Sequence, residues 1–178
     1  MYLDSFFRYT KGEINMNYVY LKPELENLSQ GERISFVRQM RRMTPDEVSE
    51  KLGLTGECKR RSMTRYERGD RIPKEDRLLE IANILNVNVK CLKEYDFRND
   101  EDMIYILLWM EEIYPRMNID FGFADYFPNK RSKRIQKFIN EWNEMRQKRL
   151  THEITYNEDI EWKFQYEFKE GEEDEENS

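Results

Sequence analysis

The sequence predicts a mainly α protein: a bundle of short helices, then a small, mostly helical second domain with at most short strands. Three observations carry this. Apolar residues recur at three- and four-residue spacing along much of the chain. Helix starts and stops punctuate its middle third. Gly and Pro number only 7 and 5, too few for a loop-dense β-sandwich, collagen or a low-complexity chain. The 178 residues suffice for one ordinary domain or two small ones, and 13% aromatics support a compact core. The expected division is an N-terminal arm over 1–30, a bundle over 31–95, a mostly helical domain over 96–169 and an acidic, disordered tail over 170–178.

From Arg33, the residues Ile34, Val37, Met40 and Met43 draw one helical stripe. Thr44-Pro45-Asp46-Glu47 reads as the next start: Thr44 caps, Pro45 suits the first helical position, and Glu47 stands where a capping box needs it. This second helix is short, with Val48 and Leu52 inward, and Gly53 supplies the positive φ that ends it. A third runs from about Glu57 to Arg68, with Met63 and Tyr66 inward and Gly69 as its stop. Asp70-Arg71-Ile72-Pro73 forms a turn, and Pro73 opens a fourth helix whose core face is Leu78, Leu79, Ile81, Ala82 and Leu85. Val89, Leu92 and Tyr95 suggest a last short helix. Together with the small residue Ser49 and a basic third helix, this order fits a helix-turn-helix.

Charge divides along the same line. The net charge of −6 argues against a nucleic-acid partner, but it is a sum of unlike parts. Residues 31–94 hold 15 basic and 11 acidic side chains, a net of +4; residues 95–169 hold 12 and 15; the last nine hold six acids and no base. Lys59, Arg60, Arg61, Arg65, Arg68 and Arg71 fall within thirteen positions. A basic segment joined to an acidic one is expected where one part meets an anionic polymer. The bland alternative leaves these side chains solvated, or paired with Glu57, Glu67 and Asp70.

Over residues 31–95 the chain resembles the phage-repressor-type, lambda-repressor-like (Xre) helix-turn-helix family. The resemblance rests on Met43-Thr44-Pro45-Asp46-Glu47-Val48-Ser49-Glu50-Lys51-Leu52-Gly53-Leu54, then Arg65-Tyr66-Glu67-Arg68-Gly69, Ile72-Pro73-Lys74 and Leu79-Glu80-Ile81-Ala82, in that order. Two departures stand out. Pro45 replaces the Gln that usually follows the capping Thr, and about four extra residues, including Thr55-Gly56-Glu57-Cys58, separate Gly53 from Arg65. Four residues are about one helical turn, so either the recognition helix starts a turn early or the loop before it is longer. The resemblance implies major-groove reading of double-stranded DNA, with Arg60, Arg61 and Arg65 at base-reading positions and Ser62 and Thr64 beside them. It places Lys59, Arg68, Arg71 and Arg42 nearer phosphates. It also implies a homodimer on a pseudo-palindrome, often over its own promoter.

The remainder is less specific. Asp100-Glu101-Asp102 opens a helix on which Met103, Ile106, Leu107, Met110, Ile113 and Tyr114 make one face, widened by Ile104, Leu108 and Trp109, before Pro115. Asn118 to Phe127 reads as a strand or hairpin arm. Arg131 to Arg149 is amphipathic through Ile135, Phe138, Ile139, Trp142 and Met145. Ile160 to Phe168 fits a strand by alternation, and a helix by Tyr156, Ile160, Phe164 and Phe168 behind a capping box at Thr155 and Glu158. The run Lys130 to Lys137 reads as the exposed start of a helix or a second phosphate patch.

No enzyme is expected, and no cofactor or metal. His152 has no sequence partner, two cysteines and one histidine exclude zinc fingers, no glycine-rich phosphate loop is present, and Glu111-Glu112 reads as a helix surface. Cys58 precedes Lys59-Arg60-Arg61 where cations would lower a thiol pKa, which makes a redox switch conceivable; Cys91 reads as packed. The longest apolar run, Met103 to Met110, is far short of the ~20 residues that cross a bilayer, and Met1 to Asn15 lacks the features of a signal peptide, so a cytoplasmic protein is expected. Lys11 to Met16 would be encoded by a ribosome-binding-like stretch before an ATG, which makes Met16 an alternative start to Met1. Two functions fit: a sequence-specific transcriptional repressor of its own promoter, or an anti-CRISPR-type inhibitor from a mobile element, whose helix-turn-helix only autoregulates and whose acidic C-terminal half binds a protein partner.

Overall fold

The structure is a computed structural model; it describes residues 23, 25–54, 58–96, 98–113 and 130–168, without the side chains of 58–60, 100 and 130–134. Residues 1–22 and 24 of the N-terminal arm, the aromatic stretch 118–127, the acidic tail and the side chains of Cys58, Lys59 and Arg60 lie outside this description, whereas the end of the arm is described: Leu25 is buried in the core and Gln30 already belongs to α1. Among the described residues the chain forms α1 (Gln30–Met40), α2 (Pro45–Lys51), α3 (Cys58–Glu67), α4 (Glu75–Leu85), a 3₁₀ turn (Val89–Cys91), α5 (Asp100–Ile113), α6 (Lys130–Leu150) and α7 (Tyr156–Gln165), with no strand. The ambiguous stretch after Thr155 is therefore helical through Gln165, and the last short helix of the bundle is the 3₁₀ turn.

Local chemistry accounts for most boundaries. At α2 and α7, Thr44 and Thr155 accept from the backbone N–H of Glu47 and Glu158, whose carboxylates accept from the cap N–H groups in return. Gly53 and Gly69 take φ of +71° and +75° just beyond α2 and α3. Two starts differ from expectation. Ser29 caps α1 by accepting from Glu32 N–H, so the helix begins three residues before Arg33. Lys74, not Pro73, is the cap residue of α4, and Pro73 is buried in the turn before it. Gly31 answers a close approach: a β-carbon there would lie 2.6 Å from the carbonyl oxygen of Tyr66 and closer still to that of Glu67, where α1 crosses the end of α3.

Ile34, Val37, Val48, Met63, Ile81 and Leu85 have no exposed surface and knit α1 to α4 together. Leu79, expected on this core face, is 49% exposed. It lies between Leu78 and Glu80 on a helix whose inward stripe is Leu78, Ile81, Ala82 and Leu85, and one helical position is about 100° of rotation. α5 is also rotated from expectation: its buried residues are Asp102, Ile104, Tyr105, Ile106, Leu108, Trp109 and Glu112, while Met103, Leu107, Met110 and Ile113 are half-buried.

One apolar cluster runs through the whole described chain. The Phe36 ring of α1 meets Trp109 of α5 edge-on at 5.6 Å and Phe164 of α7 at 6.4 Å. Arg33, 1% exposed, donates to the carbonyls of Leu28, Cys91 and Lys93 and stacks 4.0 Å over the Tyr95 ring. The Glu111-Glu112 pair is not a helix surface. Lys163, 3% exposed, extends its ammonium to Glu112 at 2.6 Å, Glu111 at 2.8 Å and Asp159 at 3.3 Å. Burial opposes this lysine's charge, and the three carboxylates more than restore it, raising its pKa above the ordinary value.

Candidate nucleic-acid interface

α3 carries the residues expected to read DNA. Its inward positions are Met63 and Tyr66, buried against α1 and α2, which sets the opposite side of the helix outward. Arg61 and Arg65, four positions apart, are exposed there, with Arg68 exposed one turn beyond. Thr64 and Ser62 are half-buried at the flanks of this face. Arg60 lies on α3 one position before Arg61, and Lys59 one before that, in the first turn.

One of the three acids expected to compete for these arginines is held by another residue. The Glu67 carboxylate, expected as one internal partner, is taken by Arg38 of α1, whose guanidinium grips it at 2.5 and 3.0 Å and also donates to Met43 O. Glu57 lies outside the described residues, and Asp70 is exposed in the turn. Among the described residues none pairs with Arg61, Arg65 or Arg68. Arg38–Glu67 thus combines two roles: it closes the α1–α3 seam and removes an acid from the basic helix. The pairing spans 29 positions, and no sequence spacing signals it.

The expected phosphate-side residues frame this helix. Arg71 is exposed, 5.7 Å from the Tyr66 ring, at the turn that follows α3. Arg42 is exposed between α1 and α2 with φ +55°, a left-handed conformation costly for a side-chain-bearing residue. Six residues, 52–57, separate α2 from α3, against the usual three or four of such a turn. α3 as described begins at Cys58, and Thr55, Gly56 and Glu57 before it lie outside the described residues.

Other candidates resolve differently. Cys91 is packed as expected, 2% exposed, its thiol donating to the carbonyls of Lys163 and Phe164, and burial pushes its pKa up to about 12. His152 is exposed in the α6–α7 turn with φ +61°. Among the described residues no group of three His, Cys, Asp or Glu is placed to hold a metal ion, and no helix is long and apolar enough to cross a membrane.

Residues 34–90, about a third of the chain, match the family model described as helix-turn-helix. No curated protein and no solved structure matches the chain. The matched segment spans α1 to the 3₁₀ turn, with the short α2 and the arginine-bearing α3 at its centre. Over residues 34–90 the protein is a lambda-repressor-like helix-turn-helix, the DNA-binding part of a regulator.

Proposed function

We propose that this protein is a sequence-specific transcriptional repressor, acting in the cytoplasm as a homodimer on its own promoter. It works by binding and not by catalysis. The observation that carries this is the outward face of α3, where Arg61 and Arg65 stand exposed while the neighbouring Glu67 is bound by Arg38. An arginine fork matches O6 and N7 of guanine, and each good pair discriminates by ~1–3 kcal/mol. Thr64 and Ser62 flank that face, with Arg60 before it. Lys59, Arg42, Arg68 and Arg71 set the register on phosphates, a contribution without sequence information that weakens with salt.

Selection of duplexes from a random pool by the full-length protein tests the reading. An enriched, two-fold-related motif with guanines, whose methylation at N7 blocks binding, is the expected outcome. A pool that stays random after successive rounds contradicts it.

A further inference from the structure

We propose that Glu161 of α7 is a positioning residue for DNA binding: through Arg41 it fixes the α1–α2 corner from which Arg42 reaches a phosphate. The inference rests on the DNA-binding reading above and extends it to the C-terminal half of the chain.

Arg41 ends α1, and its guanidinium joins three helices. The Nε group donates to Leu85 O at 2.7 Å and Nη2 to Asn86 O at 2.8 Å, at the C-terminal end of α4, where carbonyls lack helical partners and the dipole favours a cation. The same fork grips the Glu161 carboxylate at 2.5 and 3.0 Å. Gln165, one turn further along α7, donates to both Asn86 O and Glu161. The next residue, Arg42, closes α1 in the left-handed region: its N–H donates to Gln39 O and that of Met43 to Arg38 O. Arg38 holds the far side of this corner by donating to Met43 O at 2.7 Å.

The strained, exposed Arg42 therefore leaves a backbone tied down on both sides, by Arg38 within the bundle and by Glu161 from α7. A fixed base lowers the entropy lost when a long side chain engages a phosphate. Without its carboxylate, Arg41 keeps only two neutral carbonyl acceptors, and the corner loosens. A group 120 positions away in sequence thereby becomes part of the DNA-binding surface.

The test is a double-mutant cycle on full-length protein, with affinity for a fixed duplex measured by fluorescence anisotropy from about 50 to 300 mM salt. Glu161→Gln is expected to weaken binding roughly 3- to 10-fold near physiological salt and to lower the salt slope by about one, the signature of one lost phosphate contact. Arg42→Ala should do the same, and the double variant should be no weaker than Arg42→Ala alone. Ile160→Val, which lowers stability within α7 without touching Arg41, should leave the slope unchanged. Wild-type affinity and slope in Glu161→Gln, or multiplying effects of Glu161→Gln and Arg42→Ala, would overturn the inference. Failure of the DNA-binding reading looks different: Arg61→Ala and Arg65→Ala would then leave binding untouched as well.

Discussion

Arg33 and Lys163 are both buried cations, held in opposite ways. Arg33 spends its donors on carbonyls and an aromatic face, whereas Lys163 sits among three carboxylates supplied by α5 and α7. Further donors steady those acids: Arg149 reaches Asp159, Tyr156 reaches Glu112, and Trp142 reaches Glu111. Lys163→Met would leave three acids without their central cation, and should lower unfolding free energy by about 3–5 kcal/mol, measured by denaturant titration. A loss below 1 kcal/mol would show that the cluster contributes little. His152 offers a gain instead. In the left-handed region a side chain costs roughly 1 kcal/mol, so His152→Gly should raise Tm by about 2–4 °C. Neither site was legible in the sequence. The partners that bury Lys163 arrive from α5 about fifty positions away, a pairing that sequence spacing does not mark.

At the scale of elements, the capping boxes and turn glycines were legible because they are local. Thr44-x-x-Glu47 and Thr155-x-x-Glu158 predict their hydrogen bonds from spacing alone, and both form. The inward residues Met63 and Tyr66 of α3 and the stripe Phe138, Ile139 and Trp142 of α6 were legible for the same reason. The face of α5 was not: its middle, Met103 to Met110, is an unbroken apolar run that marks no single side, and its neighbours decide which residues go inward. The caps also have a pH signature. Backbone and hydroxyl donors of Thr44 and Thr155 hold the carboxyls of Glu47 and Glu158 below the ordinary glutamate value of 4.5, and the Arg41 guanidinium does so for Glu161. Each binds fewer protons folded than unfolded in acid, so its support is complete above pH 4.5 and fades as pH falls through the lowered value. Thr44→Ala should cost about 1 kcal/mol at pH 7 by thermal melting. The gap between this variant and wild type should narrow in acid; a gap independent of pH would contradict the capping role of Glu47.

For the whole molecule, the net charge of −6 conceals a basic module whose exposed arginines gather on and beside one helix. The sequence also divides more cleanly than the buried core does. Residues 31–95 read as a self-contained bundle, yet Phe36 packs on Trp109 and Phe164, and Cys91 donates to carbonyls of α7. These contacts join residues 72 or more positions apart, which no periodicity encodes. A fragment of residues 1–95 should therefore lack a cooperative thermal transition by circular dichroism. A sharp transition at the full-length midpoint would show that the bundle stands alone.

The most direct test of DNA reading by α3 compares full-length protein with its Arg61→Ala and Arg65→Ala variants on a selected duplex and on a random one, at fixed salt. Wild type should prefer the selected duplex by at least about a thousandfold. Each substitution should cost roughly 5- to 150-fold on that duplex and far less on random DNA, because a base contact is lost and not a phosphate contact. Equal affinity of wild type for both duplexes, or unchanged binding in both variants, would contradict the reading.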